Sequence, residues 1–208
     1  MKTCRVTVPQ LQPLIANGTI PRGATVCVRG GERGWLNWAI AATQRKALKD
    51  LYGDTITNLP FVSEFTHAAV VNSRYTLAHL YWPRAQIWPW SRYIGKQLLF
   101  RVPTQMRDPE ALEQVAERAL EDVDNKEPYD FADLFGFLVR WDTKLLFRLK
   151  FHKVFGRRKK HVCSTRVVKW HNDCGYTTIS DDDLWGYYPA RLVVSEHWTD
   201  CMLIELTE

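Results

Sequence analysis

SEFTHAAVV, residues Ser63 to Val71, sets a titrating imidazole at the mouth of an apolar run. The run from Ala68 to Val71 reads as a buried strand. A histidine in that place is either a core or strand-end residue bonded to its neighbours, or the base for a nucleophile elsewhere in the chain. Next comes a short Asn72-Ser73-Arg74 connection and a second strand-like run, Tyr75 to Leu80, so the two read as a hairpin. Gln97 to Val102 reads as a third strand.

Upstream, Pro21-Arg-Gly23 is a turn, Ala24 to Arg29 a short apolar strand, and Gly30, Gly31 and Gly34 a loop. Trp35 to Leu51 has helical periodicity and closes on Gly53, where a C-terminal glycine belongs. Downstream, Asp108-Pro109-Glu110 is a helix start, with Asp as cap, Pro at the first position and acid in the first turn. Leu112, Val115, Ala119, Leu120 and Val123 follow at helical spacing. A second helix is predicted after Asp130, with Phe131, Leu134, Phe135, Leu138, Leu145 and Leu149 on one face. Gly156 ends it and opens a basic loop, Arg157 to His161, and another helix starts at or just before Cys163. The tail predicts one or two strands, Leu192–Ser195 and Met202–Leu206. Strands in a block, then helices, then strands give an α+β class. The expectation is an antiparallel sheet packed against helices, in a single domain over 1–208 with a helical block at about 107–155.

Composition allows such a domain. Hydrophobic residues make up 46% and charged residues 25%, so the chain can bury a core. No apolar run reaches the ~18 residues that span a bilayer, so no transmembrane segment is expected. Met1 to Gly18 has one lysine and no continuous apolar stretch, Pro9 and Pro13 interrupting it, and no signal peptide is read. The expectation is a cytoplasmic protein, in a host cell if the gene is that of a phage, or one carried inside a virion. Cys4, Cys27, Cys163, Cys174 and Cys201 form an odd set without a CxxC pair, which in a reducing compartment means free thiols.

The net charge of +5 is uneven. Thr143 to Asn172 contains no acidic residue and ten basic ones: Lys144, Arg148, Lys150, Lys153, Arg157, Arg158, Lys159, Lys160, Arg166 and Lys169. Cys163 lies inside this stretch. A cysteine in the first turn of a helix meets the positive end of the macrodipole, and neighbouring cations favour thiolate further. Backbone N–H groups of that turn also suit a developing oxyanion. The expectation is therefore an acidified Cys163, served by His67.

The residues PRGATVCVRG, FTHAAVV, YTLAH and VCSTRVV, in that order, resemble the circularly permuted papain-like hydrolases of the NlpC/P60 superfamily. The closest resemblance is to the YiiX/YaeF-like branch, with its glycine-led strand, Thr-His-hydrophobic strand and late Cys-Ser helix start. The resemblance covers Arg22 to Asp183 and includes Ile179-Ser-Asp-Asp-Asp-Leu184 in the place of that family's downstream turn. It implies a papain-like fold in permuted order, since His67 precedes Cys163. It implies Cys163 as nucleophile, His67 as general base, and a polar third member on the next strand, which here is His79. Relatives often carry glutamate near that place, and often Glu-Leu where Thr165-Arg166 follow the Cys-Ser. The implied activity is that of a cysteine hydrolase or acyltransferase without cofactor or metal, cleaving an amide or ester through an acyl-enzyme. Its substrate would be a peptide, cell-wall or lipid molecule.

Other readings stand beside this one. His161, Cys163, His171 and Cys174 are zinc-ligand types, but H-x-C and H-x-x-C are not the usual knuckles, and a helix from Cys163 to His171 would hold two of them roughly two turns apart. The basic 144–169 segment, with Phe147, Phe151, Phe155 and Trp170, suits an anionic lipid, wall polymer or nucleic acid, so a catalytically silent binding module is the second reading. Trp82, Trp88 and Trp90 either wall a substrate groove or sit in a proline-stiffened loop on the core. His152, His171 and His197 read as structural or solvated, and Glu64 is the nearest other base.

Overall fold

The structure, a computed structural model, describes residues 3–30, 34–105, 109–130, 162–176 and 187–208. In chain order the elements are β1 (Cys4–Thr7), α1 (Val8–Ala16), β2 (Thr25–Arg29), α2 (Trp35–Tyr52) and α3 (Leu59–Ser63). Then follow β3 (Phe65–Ser73), β4 (Thr76–Tyr81), β5 (Arg84–Pro89), a 3₁₀ turn (Trp90–Tyr93) and β6 (Gln97–Pro103). The rest are α4 (Pro109–Asp124), α5 (Cys163–Asp173), α6 (Pro189–Val194) and β7 (Trp198–Thr207).

The strands form one seven-stranded sheet in the order β1-β7-β6-β2-β3-β4-β5. It is mixed rather than antiparallel: β1 lies parallel to β7, and the remaining neighbours are antiparallel. The α+β class holds, with helices on both faces. On one face Ala68, Val70, Ala78 and Leu99 pack with Leu112 and Val115 of α4, Val167 and Trp170 of α5 and Leu192 of α6. On the other, Ala69, Val71, Leu77, Leu98 and Phe100 pack with Leu11 and Ile15 of α1, with Trp90 and Tyr93. Covering both faces is why the centre of β3 reads as an unbroken apolar run rather than an alternation.

β3 carries one irregularity that matters. Val28 pairs with His67 but Arg29 pairs with Phe65, so Thr66 is an extra residue in β3, a bulge. The bulge turns Phe65 onto the same side as Ala68 and Val70 while His67 keeps the alternation of Ala69 and Val71.

Other expectations need correction. No element is predicted before Pro21, whereas α1 lies there, with Pro9 in its first turn behind a reciprocal Thr7–Gln10 cap. Arg84 to Pro89, read as part of a stiff loop, is an edge strand, where proline is tolerated. Leu192 to Ser195, read as a strand, lies largely in α6, started by Pro189. The predicted helix after Asp130, the loop Arg157–His161, the Asp108 cap and the Ile179–Leu184 turn lie outside the described residues. Gly23 has φ +83°, and a Cβ there would stand 1.9 Å from the Leu112 carbonyl oxygen. Only glycine lets α4 approach the start of β2 this closely.

Candidate active site

The site is built where two strands part. The β3–β4 ladder runs from Ser73↔Thr76 to Val70↔Ala78, whereas β3 stays laddered to β2 through His67 and Phe65. Past Val70 the side of β3 facing β4 is therefore open to other partners. Two groups use it. The Ala68 backbone N–H donates to the Cys163 sulfur, and the His67 side chain reaches β4, where its Nε2 lies 2.7 Å from His79 Nδ1. The hairpin register makes that second contact, as the spacing of the two histidines predicts.

His79 is fully buried, and its surroundings are aromatic. The Trp88 ring is 4.4 Å away edge-on, Tyr81 stacks on it at 5.5 Å, and the Tyr93 hydroxyl lies 3.3 Å from the same Nδ1. The Arg92 guanidinium covers Trp88 at 4.5 Å. Burial pushes the half-buried His67 down to about 4. His79 is pushed well below the ordinary imidazole value by burial first, then by His67 and Arg92. Both rings are thus neutral at neutral pH. A neutral pair at this distance shares one proton, one nitrogen donating and the other accepting.

Cys163 is the first residue of α5, with Val162 as an extended cap residue. The Thr165 hydroxyl secures this start, accepting from Val162 N–H at 3.0 Å. The residue is 5% exposed. The expectation of an acidified thiol is reversed: burial pushes Cys163 up to about 11. Backbone N–H groups of Ala68, Ser164 and Cys163 itself pull the other way and only partly offset it. The reason is desolvation: a thiolate loses more hydration on burial than a helix terminus returns. Cys163 is therefore a neutral thiol at rest, next to the strand residue that follows His67.

α5 is fixed at its middle and far end as well. Asp122 of α4 accepts from Arg166 through both carboxylate oxygens, and from Trp170 Nε1 at 2.7 Å. His171 is fully buried and bonds Thr25 Oγ1 through Nε2 at 2.9 Å. It sits at the opposite end of α5 from Cys163, and His161 is outside the described residues. Among the described residues no cluster of three or more His, Cys, Asp or Glu side chains suits a metal ion.

The remaining candidates separate cleanly. Glu64 is engaged by Arg29 at 2.5 Å. Trp90 is core, packed near Phe100, Trp88 lies against His79, and Trp82 is 64% exposed. Cys27, the register partner of Ala68 on β2, is buried, and burial pushes its thiol up to about 12. Cys174 is half-buried, and Cys4 and Cys201 are exposed. Of the basic segment, Arg166 is paired with Asp122 and Lys169 with Asp173, and residues 144–161 lie outside the described residues. Among the described residues no helix is long and apolar enough to cross a membrane. Tyr93 and the Ala68 amide were missed by sequence reasoning. Neither belongs to a short motif, and a tyrosine after WPW signals only an aromatic turn.

No protein-family model matches this chain, and no curated protein matches it either.

Proposed function

We propose that the protein is a cysteine hydrolase or acyltransferase on a permuted papain-like fold, acting on an amide or ester bond through Cys163, His67 and His79. The observation that carries this reading is the 2.7 Å His67 Nε2–His79 Nδ1 contact formed beside the strand residue whose amide holds the Cys163 sulfur. Oriented this way, His67 has its Nδ1 left for the thiol proton. The Cys163 proton passes to that nitrogen as sulfur attacks the carbonyl carbon. A C–S bond forms, the C–N or C–O bond breaks, and the imidazolium returns its proton to the leaving amine or alcohol. Water, or an acceptor alcohol or amine, then attacks the thioester with His67 again as base, which regenerates the thiol. Because the resting pair is neutral, proton transfer and attack are coupled, as in serine hydrolases, rather than preceded by a standing ion pair.

The second reading is a catalytically silent module that binds an anionic lipid, wall polymer or nucleic acid through the basic 144–169 segment. The deep burial of Cys163 and its raised pKa favour it, since an inert core thiol has these same properties. Turnover of activated esters and peptide anilides by the wild type and by Cys163→Ala separates the two. Hydrolysis lost in Cys163→Ala supports the enzyme. Hydrolysis absent from both, with salt-sensitive binding to anionic vesicles, supports the module.

A further inference from the structure

We infer that Tyr93 is a positioning residue that selects the tautomer of the histidine pair, keeping His67 Nδ1 bare to accept a proton. The inference rests on the catalytic reading of His67 but is carried by a different observation, the convergence of two groups on one atom. His79 Nδ1 has a single in-plane position, holding either a lone pair or a hydrogen. His67 Nε2 approaches it at 2.7 Å and Tyr93 Oη at 3.3 Å.

Two arrangements are open. In one, His79 carries its hydrogen on Nδ1 and donates to His67 Nε2. His67 then carries its own hydrogen on Nδ1 and has nothing there to receive the thiol proton. The Tyr93 oxygen becomes a second acceptor, and its hydroxyl hydrogen is left in a buried site without a partner among the described residues, the residue being only 5% exposed. In the other, His79 Nδ1 is a lone pair that accepts from both His67 Nε2–H and Tyr93 O–H. Every hydrogen facing that atom is then used, and the bare nitrogen of His67 is Nδ1.

The far side of His79 leaves the choice to Tyr93, because its Nε2 is buried without a hydrogen-bond partner in either arrangement. Burial also keeps the Tyr93 phenol protonated far above its ordinary range, so it remains a donor throughout the working pH range. The charged neighbour on this side is Arg92, held over Trp88, and it likewise disfavours an imidazolium at His79. Tyr93 touches no reacting atom; it acts through His79 on His67.

Ring-¹⁵N spectra of the imidazole-labelled protein at neutral pH test this without any substrate. In the wild type, His79 is expected to show a protonated Nε2 and an unprotonated Nδ1, and His67 a protonated Nε2. In Tyr93→Phe, which removes only the hydroxyl, His79 is expected to move toward Nδ1–H. Ester turnover in that variant falls several-fold in kcat with KM unchanged. A wild-type His79 protonated at Nδ1 would overturn the inference even if the variant did not fold, and so would a Tyr93→Phe spectrum with the wild-type pattern. If the spectra come out as expected while turnover proves independent of Cys163, the tautomer assignment stands and the proposed activity falls.

Discussion

Two histidines, His171 in the last turn of α5 and His67 beside the strand residue that meets its first residue, differ in what they touch. At the far end His171 meets one hydroxyl, Thr25 Oγ1, and burial pushes it down to about 3. At the near end His67 meets a second imidazole, which meets a tyrosine, and the nucleophile candidate lies against the next residue of the strand. Both histidines are neutral for the same reason, desolvation. Depressed basicity therefore does not mark the functional one. The distinguishing feature is a polar partner, His79, that is itself bonded to a tyrosine hydroxyl. His171 lacks that: its Nδ1 is buried without a partner.

The comparison predicts a large asymmetry on mutation. His67→Ala is expected to lower turnover by about 10²–10⁴-fold, the usual worth of a general base. His79→Ala is expected to cost a smaller factor, since an orienting ring supplies tautomer and angle but not the proton. His171→Gln is expected to leave turnover at the wild-type level when measured well below its melting temperature. Steady-state ester hydrolysis by the three variants checks this, and equal losses at His67 and His171 would erase the distinction between the two ends.

The middle of α5 should govern stability rather than chemistry. Asp122 is nearly buried and takes the Arg166 guanidinium and the Trp170 indole together. Asp122→Ala leaves a largely buried cation without its partner, at a cost of about 3–5 kcal/mol. Urea unfolding measures it, and a cost under ~1 kcal/mol would mean the pair is screened as at an open surface.

Acid should act on both ends. His171 folded takes a proton only near pH 3, whereas unfolded it does so near 6.5. The unfolded chain binds more protons between those values. Stability from this group is therefore complete above about 6.5 and is lost as pH falls toward 3, at about 1.4 kcal/mol per pH unit. His171→Gln is expected to flatten this slope in melting curves taken from pH 7 down to 4.

The smallest effect is a displaced limb in the activity profile. His67 works only when neutral, so kcat/KM is expected to rise through about pH 4 instead of the ordinary 6.5 and stay level above it. A limb at 6.5 or higher would mean that the base is better hydrated than its burial implies.

Much of this arrangement was legible because it is local. A short turn between two apolar runs sets His67 and His79 side by side, and helical spacing sets Leu112, Val115 and Ala119 on the core face of α4. Cys163 at a helix start was legible for the same reason. The parts that were not legible depend on distance through the fold. Tyr93 reaches His79 only because an edge strand and a 3₁₀ turn carry the chain back, and Pro83 and Pro89 disguised that strand as a loop. The acidity of Cys163 was misread because charge and helix direction are visible in sequence whereas burial is not.

Mass mapping of the acyl adduct formed in a short exposure to 4-nitrophenyl acetate tests the central claim most directly. Wild type, His67→Ala and His171→Gln are compared at neutral pH. The account predicts an adduct on Cys163 in the wild type and in His171→Gln, and none in His67→Ala. An adduct on Cys27 or Cys174 instead, or equal acylation of Cys163 with and without the His67 ring, would contradict it.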